Sequence, residues 1–152
     1  MPRANEAEFL NKVLMGRADA VEFCQALFRV SQVWDDLIDK DRGVDAEDIN
    51  RAFWTLIVDL PANPFYRANF GHLHPVLRQY IIDWLDATAL EREEGAHGKN
   101  LAFVLRDSIG AVVTQCAWIL GGYEYMRQVS CDVRRHIHED SLEEYIKQLR
   151  NQ

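Results

Sequence analysis

The chain has 152 residues, a formal net charge of −7 and a hydrophobic content of 48%. That length suits one domain, able to bury about 70% of its unfolded surface without a metal or disulfide staple. The acidic balance, with a pI near 5.2, argues against nucleic acid and an anionic membrane as partners, because both need clustered Lys and Arg.

Helical apolar spacing runs almost throughout, and strand-like alternation is absent. The first predicted helix covers about Asn5 to Met15, with Phe9, Leu10, Val13 and Leu14 as its stripe and Gly16 as a C-terminal cap. The second starts after Asp19, which pairs with Glu22 in a capping-box pattern, and runs to about Lys40. The third has Asp45 as N-cap, with Val44 stapled on Ile49, and its stripe is Ile49, Phe53, Leu56, Ile57 and Leu60. Pro61 and Pro64 then impose a break, followed by an aromatic loop with Phe65, Tyr66 and Phe70.

Pro75 suits the first position of a fourth helix, whose inner face is Leu77, Tyr80, Ile81 and Trp84. A polar turn holds Glu91 to Gly98. A fifth helix, about Asn100 to Met126, is apolar on nearly every side and is expected to be central and buried. A short helix after Ser130 and a last one capped by Ser141 with Glu144 complete an all-α bundle of about six helices, spanning residues 1–152 as a single domain. Trp34, Trp54, Trp84 and Trp118 all fall at core or near-core positions.

Cys24, Cys116 and Cys131 form no C-x-x-C, and the first two sit among apolar residues, so reduced thiols in a cytoplasmic protein are expected. The N-terminus does not read as a signal peptide. Ile109 to Tyr123 is too short and too polar for a membrane span.

Chemistry concentrates at the end of the second helix. Asp35, Asp36 and Asp39 share one turn, close to the negative end of the helix dipole, so solvent, basic neighbours or a cation must offset their repulsion. Asp35 continues the edge of a stripe centred on Leu27, Trp34 and Ile38, and is therefore expected to be partly buried. Mg²⁺ takes one or two such carboxylates and bridges to phosphate oxygens.

The run Asp35-Asp36-Leu37-Ile38-Asp39, followed by Lys40-Asp41-Arg42-Gly43, resembles the D-D-x-x-D motif of class I isoprenoid synthases. The resemblance implies Mg²⁺ on Asp35 and Asp39, with a diphosphate as substrate group. Those enzymes carry a second acidic motif on a later helix, for which Asp107 is the counterpart here, and no second D-D-x-x-D follows. The candidate metal set is thus Asp35, Asp36, Asp39 and Asp107. The stretch from Val33 to Tyr66, with its Trp-Asp-Asp-Leu-Ile-Asp and Leu-Pro-Ala-Asn-Pro-Phe-Tyr segments, is similar to small phage- or prophage-encoded all-α proteins. That resemblance brings no mechanism.

Other signals have plainer readings. The aspartates are expected to pair with basic neighbours at a solvated helix end, and Asp107 to be satisfied by Arg106, Thr114 or a helix terminus elsewhere. His136, His138, Glu139 and Asp140 read as a solvated turn, His72 and His74 as loop or cap residues, and Glu91, Glu93 and Glu94 as a solvated helix end. No P-loop, G-x-S-x-G or H-E-x-x-H occurs.

Three functions follow as expectations. The first is a non-catalytic phage-type accessory protein that binds another protein, as a homo-oligomer. The second is a Mg²⁺-dependent helical enzyme handling a diphosphate or nucleotide-like ligand through the Asp35/Asp39 cluster. The third is an acidic nucleic-acid mimic. The first predicts a contiguous apolar surface patch; the second, converging carboxylates.

Overall fold

A computed structural model of the chain describes residues 5–40 and 43–151. The protein is all-α, about 85% helical, with no strand among the described residues. Two compact units follow one another along the chain, Met1–Phe70 and Gly71–Gln152.

In the first unit, α1 (Glu6–Val13) ends in a Schellman motif, where Gly16 donates to the Asn11 carbonyl at 2.8 Å and Met15 to Lys12 at 3.3 Å. Both Met15 (φ 58°) and Gly16 (φ 71°) have positive φ, so the expected cap glycine takes part in the motif. Helix α2 (Ala18–Asp39) starts at Arg17, not after Asp19. The Asp19 carboxylate instead accepts from the Ala20 N–H and pairs with Arg17, so no box with Glu22 forms. Its buried face is Ala20, Phe23, Cys24, Ala26, Leu27 and Phe28.

Helix α3 (Ala46–Trp54) starts on the predicted N-cap Asp45, and Asp48 completes a reciprocal capping box that the sequence reading does not include. The helix does not stop there. It widens into a π-helical segment, Thr55–Asp59, and passes into the short α4 (Leu60–Ala62). Pro61 has no N–H to donate and its ring crowds the carbonyl one turn back, a conflict that a widened turn relieves.

The expected aromatic loop is a helix, α5 (Pro64–Ala68), because Asn63 caps it by accepting from Tyr66 N at 2.9 Å. The Asn63 amide also donates to the Asp19 carbonyl, tying α5 to α2. Phe65 and Tyr66 are buried, and Tyr66 stacks on Phe23 with ring centroids 5.1 Å apart.

In the second unit, α6 (Phe70–Glu91) already includes His72 and His74, so Pro75 lies inside the helix, not at its first position. Its buried face is Leu73, Tyr80, Trp84 and Ala87, while Ile81 is exposed. A turn leads to α7 (Ala96–Leu105). There Gly98 allows a close approach, since a Cβ would lie 2.8 Å from the Leu90 carbonyl oxygen.

The predicted fifth helix is broken at Arg106–Asp107, and α8 (Ser108–Ile137) begins after the break. Its first turns carry the buried residues Ile109, Val112, Val113, Cys116 and Ala117. It continues through Ser130, where a separate short helix is expected from sequence. Helix α9 (Leu142–Arg150) opens on the predicted Ser141/Glu144 capping box.

Gly122 interrupts α8 with φ 80° and ψ −171°, a conformation essentially restricted to glycine. Gly122→Ala is expected to lower stability by about 1–3 kcal/mol, read as a drop in the thermal midpoint. By length and composition alone, the helical stretch Ala96–Arg150 is long and apolar enough to cross a membrane. A buried helix of a soluble protein gives the same signal, and this stretch carries the two interruptions just described.

Candidate functional site

The aspartates of the D-D-x-x-D run occupy the last turn of α2. Asp36 is the buried one, at 5% exposure, while Asp35 and Asp39 are half-buried. Asp35 is partly buried, as its place at the edge of the stripe predicts, but Asp36 is the more deeply buried acid. Asp36 Oδ1 accepts from Gln32 Nε2 at 3.2 Å, one turn back. Ile38, expected at the centre of the stripe, is exposed together with Leu37. Asp41 lies outside the described residues.

Asp107 belongs to the second unit. Its Oδ1 accepts from Arg134 Nη1 at 2.9 Å, and its Oδ2 lies 3.3 Å from His138 Nε2. These replace the Arg106 and Thr114 partners expected from sequence. His138 also packs on Phe103, centroids 4.3 Å apart, so it is part of this cluster and not a solvated turn. Among the described residues, no group of three or more His, Cys, Asp or Glu side chains is placed to hold a metal ion.

A second polar cluster in this unit has no counterpart in the sequence reading. Glu91 and Arg106 form a bidentate pair, with Arg106 Nη2 to Oε2 at 2.7 Å and Nε to Oε1 at 3.0 Å. Their side chains are only 13% and 15% exposed, so Glu91 is not a solvated helix end. The Tyr145 hydroxyl donates to Glu91 Oε1, which anchors α9. The guanidinium lies over the Trp84 ring at 4.4 Å, a cation–π contact.

Burial pulls the Arg106 guanidinium down, but its hydrogen bond to Glu91 and the Glu91 charge outweigh that and hold it above its usual range. Burial, reinforced by Glu91, pushes the Tyr145 phenol up. A phenol that ionises less readily in the folded state gives stability fully present below the unfolded pKa, about 10, and lost as pH rises beyond it. Alkaline unfolding is therefore expected to begin above about pH 10. Tyr145→Phe should flatten that limb of a stability–pH curve.

The third feature is apolar. Phe53 (61%), Trp54 (57%), Leu56, Ile57 (68%) and Val58 are all exposed on α3 and the π-helical segment. Helix α3 buries none of its residues. The sequence reading places Phe53, Leu56 and Ile57 in the core and Trp54 near it. Of that segment, the structure buries only Thr55 and Leu60.

Density is the sequence signal against burial here: five large apolar residues in six positions exceed what one buried helix face can take. Phe53 and Ile57, four positions apart, are neighbours on the helix surface and form an outward ridge. Beside it is a recess of about 380 Å³ lined by Glu47, Asn50, Arg51 and Trp54. Trp118, also expected near the core, is exposed and stacks on His72, which reaches Gln115 at 2.6 Å.

No protein-family model matches the chain, and no curated protein or solved structure is significantly similar to it. The functional reading therefore rests on these three features.

Proposed function

We propose that the protein is a non-catalytic accessory protein, of the phage type its sequence resembles, which works by holding another protein on the apolar ridge of α3 and the π-helical segment. One observation carries this reading: five consecutive-region side chains, Phe53 to Val58, are exposed on an element whose capped start and amphipathic pattern are otherwise well formed. Together they present on the order of 500 Å² of apolar surface, within the about 300–600 Å² of the largest patch on a typical monomer, which is often functional.

The test pairs stability with binding. Phe53→Ser/Ile57→Ser is expected to change unfolding free energy by less than about 1 kcal/mol, because little burial is lost. The same double variant should lose the peptides that a random display library enriches on the wild type. Retained binding, or an unfolded variant, would remove the ridge as the functional surface.

A Mg²⁺-dependent diphosphate chemistry is the second reading, supported by the burial of Asp36 between half-buried Asp35 and Asp39. Thermal unfolding with Mg²⁺ and pyrophosphate decides it. A ligand at 100 times its dissociation constant adds about 2.7 kcal/mol. A rise of that size, absent in Asp35→Asn, would displace the accessory reading.

A further inference from the structure

The charge around the ridge is uneven. Among the described residues from 35 to 59, six acidic side chains are exposed or half-buried, Asp35, Asp39, Asp45, Glu47, Asp48 and Asp59, against two basic ones, Lys40 and Arg51, a net −4. The same stretch carries seven exposed large apolar side chains, with Leu37 and Ile38 on α2 added to the five of the ridge. Of the basic residues there, Arg51 is already paired with Glu47 at 3.5 Å. Apolar anchors and excess negative charge are therefore presented by one segment of the first unit.

We infer that this segment is a docking surface for a basic amphipathic helix of a partner protein, with apolar side chains on the Phe53/Ile57 ridge and Lys or Arg side chains over the acidic rim. This rests on the protein-binding reading above and names the chemistry of its occupant. Charge complementarity selects that occupant. A second copy of the chain would set net −4 against net −4, and like charges across an interface are disfavoured. An anionic lipid surface or nucleic acid meets the same repulsion.

Size fits too. The ridge exposes on the order of 500 Å², and with its polar rim it approaches the about 800 Å² per partner of a stable interface. An amphipathic helix lays its anchors at i, i+3, i+4 and i+7 into such a face. The recess between Glu47 and Trp54 offers one anchor a pocket with a carboxylate at its edge.

Two four-turn synthetic peptides test this on the full chain, one of Leu and Lys in amphipathic register and its twin with Glu for every Lys. The Leu/Lys peptide is expected to bind, and to weaken by about tenfold or more between about 50 and 500 mM salt. The Leu/Glu twin should not bind. Glu47→Lys/Asp59→Lys should weaken the first peptide by about tenfold and admit the second, while Phe53→Ser/Ile57→Ser should abolish both.

Equal, salt-independent binding of both peptides to the wild type would overturn the basic-partner inference and leave the protein-binding reading standing. So would a dimer in sedimentation that Phe53→Ser/Ile57→Ser dissociates, because the ridge would then belong to a second copy. If neither peptide binds and display enriches none, the protein-binding reading itself fails. The salt series on the wild type needs no variant to fold.

Discussion

Arg106→Met is expected to destabilise the protein by about 3 kcal/mol, the lower end of the cost of breaking a buried ion pair, since both partners keep slight exposure. The substitution leaves the Glu91 carboxylate nearly buried, with only Tyr145 left of its cluster partners. It also removes the cation from the Trp84 face. At this chain length the thermal midpoint should fall by about 10 °C. The double variant Glu91→Leu/Arg106→Met should recover most of the loss, because two apolar side chains of similar volume avoid the uncompensated charge. A single variant as stable as the wild type would show that the pair is not the clamp on α9.

The other large effect is expected at Phe23. Its side chain is fully buried in the first unit, stacked on Tyr66 and 6.2 Å from the Phe65 ring. Phe23→Ala removes the α2 side of that aromatic cluster and leaves a cavity, at a cost of about 3–5 kcal/mol. Urea unfolding followed by Tyr and Trp signals should show a lower midpoint, with amides of α2 and α5 exchanging first. Phe23→Leu fills part of the space and should cost clearly less. If Phe23→Ala is nearly neutral, α5 is not held to α2 by this stack.

Local signals were the legible part of the fold. The N-caps at Asp45 and Ser141 are written within four residues, and both form in the structure. The all-α class follows from periodicity, which every helix reports for itself.

What periodicity does not report is whether an apolar face has anything to cover it. That is why Phe53 and Ile57 read as core, and why the deeper burial of Asp36 beside a half-buried Asp35 has no signal in the stripe. The break at Arg106–Asp107 was also illegible. Asp107 turns out to be held by Arg134 and His138, 27 and 31 positions further on, and no spacing rule covers that distance. The Glu91–Arg106–Tyr145 cluster likewise joins residues 15 and 54 apart. The Asn63 cap of α5 is local, three residues from Tyr66, but the tie of its amide to the Asp19 carbonyl spans 44 residues.

The division of the chain at Phe70 bears on its synthesis. A growing chain leaves the ribosome at about 5–20 residues per second, and compact units fold as they emerge. The first unit therefore stands finished for several seconds while the second is still being made, with the Phe53–Val58 ridge open to solvent. Such a segment invites aggregation on a crowded ribosome, and charges that flank an unavoidable apolar run act as gatekeepers against it. The aspartates before the ridge and Asp59 after it would then guard nascent chains from one another before any partner arrives.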